Sequence, residues 1–261
     1  MSLMTNTFER MVLNTMLGTT AQAPAQVYVA LFLSSPTESG QGGTEVSYQD
    51  YARQPLNLSA PVVNGTTVTV SNTEDIAFVV PNTSAGTVTH VAIMDAVTGG
   101  NVLVYAAIPN PIALTMETQP KFLIGDIVLT MAGGNMHPNF KAKVLNLLRG
   151  TNIAGFEPYL ALYGGDPTAS GAELSGANYA RLPLVFEEPA EQVSGQMRTV
   201  NTNEVSTAAA TSDWGSWTHG VIMDGETGGN PVWYRANAGS YSMNNGARAN
   251  IAAGAVVIGI N

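Results

Sequence analysis

The stretch THVAIMDAVTGGN at residues 89–101 recurs almost unchanged as THGVIMDGETGGN at residues 218–230. One copy begins at Thr89 and the other at Thr218, in a chain of 261 residues. A spacing of about 130 residues is too long for a solenoid unit and suits a whole domain. The chain therefore reads as a tandem duplication.

The repeated stretch has a physical reading of its own. His90, Ala92 and Met94 alternate with Val91, Ile93 and Asp95, so apolar side chains fall on both faces of a short strand. Asp, Thr, Gly, Gly and Asn then crowd into residues 95–101. Glycine reaches positive φ without penalty, and Asp and Asn bond their own backbone in turns. Val102-Leu103-Val104-Tyr105 follows in the first copy and Val232-Trp233-Tyr234 in the second. This predicts a β-hairpin with a connection of about five to seven residues.

The rest of the chain repeats in the same order. Phe8, Met11, Val12, Met16 and Leu17 share one face of a helix predicted over 6–18, capped by Asn6 or Thr7 and stopped by Gly18. Phe140, Val144, Leu145 and Leu148 repeat that face over 139–150, stopped by Gly150. Apolar runs at 27–33 and 158–163 predict buried strands. Proline-containing turns follow at 35–40 and 166–171, then Tyr51-Ala52-Arg53 and Tyr179-Ala180-Arg181. Residues 56–70 hold an Asn64-Gly65 hairpin signal. The second copy is more polar there, and register returns at Asn72 and Asn201. Further strands are predicted at 76–80 and 205–210, and closing strands at 122–131 and 251–260.

These elements predict a mainly β fold. It consists of two tandem homologous antiparallel β-sandwich (or partly closed barrel) domains, each with one N-terminal helix. The first β-sandwich repeat is 1–131, the linker 132–138 and the second repeat 139–261. Each half, at about 125 residues, is large enough to bury its own core. The linker AGGNMHP spans at most about 25 Å, so the halves sit side by side.

Composition narrows the function. Charged residues are only 11% of the chain, which favours uncharged surfaces that pack without desolvating many ions. The net charge of −9 argues against a nucleic-acid partner and against anionic membranes. No apolar run reaches the length of a membrane span, which argues against membrane insertion. The absence of cysteine suits folding in a reducing cytoplasm. The opening MSLMTNTFER carries no signal-peptide h-region, and Met1-Ser2-Leu3 reads as an expression leftover.

Three blocks carry a family resemblance. They are VYVALFLSSPTESG, TEVSYQDYARQPL and THVAIMDAVTGGNVLVY in the first copy. In the second they are PYLALYGGDPTASG, AELSGANYARLPL and DWGSWTHGVIMDGETGGNPVWY. In order and spacing the chain resembles a bacteriophage family of tail fibre, or virion structural, proteins, here as a tandem pair. The resemblance implies a virion component assembled in the bacterial host cytoplasm.

Candidate chemistry is sparse. His90 with Asp95, and His219 with Asp224, resemble acid–base pairs, but five positions on a strand put them on opposite faces. The plainer reading has His at a strand edge and Asp opening the turn. Asp95, Thr98 and Asn101, or Asp224, Glu226, Thr227 and Asn230, offer oxygens to calcium, yet with few carboxylates they read as plain turns. Arg53 and Arg181 are candidates to hold a ligand or neighbouring subunit. Their plainer role is to lie over a tyrosine and pair with an acid such as Glu45 or Glu173. Trp214 and Trp217, flanking Gly215-Ser216 in a predicted loop, are candidate interface or glycan contacts. Trp214, Trp217, Trp233 and Tyr234 equally suit a sandwich core. No phosphate loop, metal spacing or nucleophile elbow is present, so no catalytic residue and no cofactor is assigned.

The expectation is a non-enzymatic structural component of a tailed-phage virion, tail- or fibre-associated. Its partners are other copies of itself and neighbouring virion proteins. Three such chains would offer six similar domains to a six-fold tail ring. The alternatives are a module binding host surface glycan and a capsid decoration protein. A polysaccharide depolymerase would need a carboxylate pair in a cleft, which the sequence does not supply.

Overall fold

A computed structural model describes residues 4–193 and 195–260, so Met1-Ser2-Leu3 lie outside it. The first repeat runs α1 (Asn6–Leu13), β1 (Val27–Phe32), β2 (Gln54–Leu56), β3 (Val62–Asn64), β4 (Thr67–Ser71) and β5 (Ile76–Ala77). It continues with β6 (Thr87–Met94), β7 (Val102–Ala113), β8 (Lys121–Phe122) and β9 (Val128–Met131). The second runs α2 (Pro138–Leu147), β10 (Tyr159–Gly164), β11 (Ala172–Glu173), β12 (Leu182–Pro183), β13 (Ala190–Glu191) and β14 (Met197–Val200). It closes with β15 (Val205–Ser206), β16 (Ser216–Met223), β17 (Pro231–Ser242), β18 (Asn250–Ile251) and β19 (Val257–Gly259).

The architecture is mainly β and antiparallel, as expected, and the sheets stay open rather than closing into barrels. In the first repeat a sheet ordered β2-β1-β6-β7 lies with a second ordered β3-β4-β9. Their inward residues, Val29 and Leu31 from one and Val68 and Val70 from the other, join one core. In the second repeat β11-β10-β16-β17, with β12 beside β10, lies with β13-β14-β19. Short pairs β5-β8 and β15-β18 complete the repeats. In both copies the β1-like strand pairs with the first strand of the repeated hairpin, Tyr28 opposite Met94 and Tyr159 opposite Met223.

Several boundaries differ from expectation for local reasons. α1 starts at Asn6 with Thr5 as its cap residue, so neither Asn6 nor Thr7 caps it. Thr5 Oγ1 instead donates to the Val102 carbonyl at 2.6 Å, tying the helix start to β7. The predicted helix over 6–18 finishes as a 3₁₀ turn, Asn14–Leu17, before Gly18 at φ 80°. The two-residue hairpin loop is Gly65-Thr66, because Asn64 pairs with Thr67. The closing strands over 122–131 and 251–260 each split in two, at turns centred near Gly125 and Gly254. β7 runs on to Ala113 past Pro109 and Pro111 through a register shift. Such a bulge is compatible with proline at a sheet edge.

The cores are not separate. One apolar cluster contains Phe8, Val12, Leu31 and Val70 from the first repeat and Phe140, Val144, Leu160 and Ile258 from the second. The expectation that each half buries its own core gives way to a shared one. The exchange is reciprocal: α1 packs on β7 of its own repeat and β14 of the other, and α2 packs on β17 of its own and β4 of the other. Ala21 N–H donates to the Ile153 carbonyl at 2.8 Å, and Ile153 N–H donates to the Ala21 carbonyl at 3.1 Å. Counted from Gly18 and Gly150, these two residues are equivalent. A symmetric exchange between equivalent residues is the mark of a two-fold axis.

Candidate functional site

The repeated hairpin is held by the same apparatus in both copies. The Arg53 guanidinium makes a bidentate pair with Glu45, Nε to Oε1 at 2.8 Å and Nη2 to Oε2 at 2.7 Å. Its Nη1 donates to the carbonyls of Ala96 at 2.7 Å and Gly99 at 2.6 Å, inside the turn. Arg181 does the same, to Glu173 at 2.8 and 2.7 Å and to the Gly225 and Gly228 carbonyls at 2.6 Å each. Both arginine side chains are only 8% exposed. Hydrogen bonds to Glu45 and to Glu173 raise the pKa of the respective arginines, so both stay charged. The planar fork of arginine suits this task, since it can meet a carboxylate and two carbonyls at once.

Tyrosines complete the clamp. Tyr51 Oη donates to Glu45 Oε1 at 3.2 Å and accepts the Leu31 N–H at 3.0 Å. Tyr179 donates to Glu173 at 2.9 Å and accepts the Leu162 N–H at 3.1 Å. Burial raises both phenol pKa values well above the ordinary tyrosine range. The clamp thus links β1 and β10 to the tips of the neighbouring hairpins.

The turns themselves are closed by aspartate. Asp95 Oδ1 accepts the Asn101 N–H at 2.6 Å, and Asp224 Oδ1 accepts the Asn230 N–H at 2.5 Å. Gly100 and Gly229 sit at φ 69° and 68°, and a Cβ at either would fall on the aspartate carboxylate. Lys143 adds an ion pair to Asp224 at 3.1 Å. Burial alone would raise the Asp224 pKa, but hydrogen bonds from Asn230 and Lys143 lower it. Outside this scaffold, Val97 is 48% exposed at the first tip. Thr98, Glu226 and Thr227 are exposed beside it or at the second.

The other candidates fall in several places. Trp214 is a core residue, 4% exposed, with Nε1 donating to the Ala177 carbonyl at 3.0 Å and its ring edge-on to Tyr179. Trp217 lies on β16 rather than in a loop. It is half-buried, donates to the His219 carbonyl at 2.9 Å and packs at 5.5 Å from the half-exposed Tyr241. Trp233 is buried against Phe140. The rings of His90 and His219 meet the adjacent Thr89 and Thr218, while Asp95 and Asp224 are taken up by their turns. Among the described residues no group of three or more His, Cys, Asp or Glu is placed to hold a metal ion. No described helix is long and apolar enough to cross a membrane.

Sequence reasoning passed over several buried polar groups. Asn72 and Asn201, both 1% exposed, pin the closing loops. Asn72 donates to the Glu74 and Leu123 carbonyls and accepts the Ile127 N–H. Asn201 donates to the Asn203 and Ala252 carbonyls and accepts the Val256 N–H. Their recurrence at the point where the copies regain register was the available signal. Glu9 and Lys141, 0% and 2% exposed, stand on the apolar faces of the helices. Desolvation lowers the Lys141 pKa. Between the repeats lies a cleft of about 620 Å³, lined among others by Phe8, Leu129, Lys141, Leu145 and Trp233.

Fold and site together define a class, a tandem β-sandwich protein whose few charges brace two exposed hairpin tips. The chain belongs to the family described as podophage GP4 fiber I protein gp80, whose model matches residues 3–130 and again 135–259. No curated protein matches it.

Proposed function

We propose that the chain is a non-enzymatic structural component of the phage fibre, which works through protein–protein assembly. Its partners would be further copies of itself and neighbouring virion proteins, met during assembly in the host cytoplasm. Neither nucleic-acid binding nor membrane insertion is part of this reading. The units are the repeats 1–131 and 139–261, joined by the linker 132–138. The observation that carries this reading is the doubled clamp. Arg53 and Arg181 are spent on holding turn carbonyls, so the scaffold presents two similar tips to partners instead of a reactive site. Antibody labelling of purified virions, viewed by electron microscopy, tests it. Label on the fibres supports the proposal, and label confined to the capsid would favour decoration instead.

A second reading, recognition of host surface glycan, rests on the Trp217–Tyr241 ring pair, with Tyr241 51% exposed. Aromatic rings at a surface can stack on sugar. Trp214 has no part in it, being buried. Loss of glycan binding in Trp217→Ala and Tyr241→Ala, with unfolding unchanged, would favour this reading. Absence of binding by the parent chain would remove it.

A further inference from the structure

Glu9 and Lys141 occupy the same place in their helices, each directly after the equivalent phenylalanines Phe8 and Phe140. Both reach across the seam. Glu9 Oε2 accepts the Met197 N–H of the other repeat at 3.0 Å. Lys141 Nζ donates to the Thr66 carbonyl of the other repeat at 2.7 Å, and to the Gly133 carbonyl at 2.7 Å. One helix therefore reads a donor where its twin reads an acceptor.

The strands that receive them end differently. β9 runs through Met131, which stands opposite Val68. β19 is paired as far as Gly259 opposite Arg198, and beyond it the Ile260 N–H donates to the carbonyl of Met197, the position equivalent to Val68, at 3.4 Å. The Met197 carbonyl is therefore met by its own ladder, while the Met197 N–H goes to Glu9.

We propose that Glu9 and Lys141 make the seam accept only unlike repeats. A two-fold seam between similar units would otherwise also join like repeats of two different chains. With two first repeats, each Glu9 would face the Thr66 carbonyl and a strand whose edge Met131 already occupies. With two second repeats, each Lys141 would meet the stretch 195–197 in place of Thr66, and the Met197 N–H would have a cation beside it where Glu9 now accepts it. Acceptor would meet acceptor, or donor meet donor, in a buried site, and such mismatches exclude partners more strongly than matches recruit them. The pair therefore limits the seam to one first and one second repeat.

Charge reversal tests this, because it makes a like pair complementary. Lys141→Glu gives two second repeats two carboxylates, each facing a Met197 N–H. Glu9→Lys gives two first repeats two ammonium groups, each facing a Thr66 carbonyl. The chain has no cysteine, so a thiol at the axis reports which repeats meet. Ile153→Cys would face its own copy only when second repeats pair, and Ala21→Cys only when first repeats pair. The expected result is a dimer by sedimentation velocity, about 100-fold tighter than any self-association of the parent chain. On mild oxidation the introduced thiols form an interchain disulfide, when Ile153→Cys is combined with Lys141→Glu or Ala21→Cys with Glu9→Lys. Lys141→Met, which only deletes the contact, is expected to stay monomeric with a lower unfolding midpoint. A cross-linkable dimer from either reversal supports the proposal. The lack of one from both, or the same dimer from Lys141→Met, overturns it.

Discussion

Ala21 and Ile153 exchange both of their backbone hydrogen bonds, at 2.8 and 3.1 Å, although they lie in different repeats. Each stands three residues beyond the glycine that ends its helix. The contact is isologous, and the packing around it follows the same rule, with each helix lying on a strand of the opposite repeat. The duplication has therefore produced a pseudo-dimer in one chain. It places the two hairpin tips in a two-fold relation.

The clamp arginines are the first point of test. Arg53→Met removes the bidentate partner of Glu45 and frees the Ala96 and Gly99 carbonyls. Breaking a largely buried pair from one side costs about 3 kcal/mol. Urea unfolding of Arg53→Met and Arg181→Met should show similar losses, since the two clamps match bond for bond. A loss below about 1 kcal/mol in both would mean that the pair behaves as an exposed one.

The glycines of the tip separate backbone strain from steric conflict. Gly99 and Gly100 both have positive φ, 60° and 69°, but a Cβ at Gly99 meets open space whereas one at Gly100 meets Asp95. Gly99→Ala should cost about 1 kcal/mol from φ alone. Gly100→Ala should cost about 1–2 kcal/mol more, because the Asp95–Asn101 closure must also give way. Equal losses in denaturant titrations would contradict this.

The tryptophans make a contrast within one loop and strand. Trp214→Ala opens a cavity in the cluster with Leu162, Leu174 and Met243 and leaves the Ala177 carbonyl only the longer bond from Thr211 Oγ1 at 3.4 Å, a loss of about 3–5 kcal/mol. Trp217→Ala removes a half-buried ring beside Tyr241 and should cost less than half as much. Thermal melts of the two variants check the order, and a reversed order would displace Trp214 from the core.

Acid tests the second tip. The folded pKa of Asp224 lies below its ordinary value of 3.8, so its contribution to stability is present above that value. It is lost as pH falls through the lower, folded value. The stability gap between the parent chain and Asp224→Asn should be constant above about pH 5 and narrow below about pH 4. A gap that widens on acidification would reverse the sign of the linkage.

Much of the fold was legible because its signals are local. The helix faces of Phe8 and Phe140, the turn chemistry from Asp95 to Asn101 and the pairing of Arg53 with Glu45 are all short-range patterns. What the sequence could not reveal depends on long-range partners. Trp214 and Trp217 are close in sequence and alike in type, yet one faces Tyr179 in the core and the other lies on a strand beside Tyr241. Glu9 and Lys141 look like solvated helix charges until the other repeat is placed over them. Pro109 and Pro111 concealed the length of β7, since only an edge strand with a register shift tolerates both.

The shared core is the central claim, and its most direct test is cooperativity. All three tryptophans, Trp214, Trp217 and Trp233, lie in the second repeat, so their fluorescence reports that repeat, whereas far-ultraviolet circular dichroism reports both. Urea unfolding followed by the two probes should give one coincident transition. Two separated transitions, with fluorescence following only one of them, would contradict a core built from both repeats.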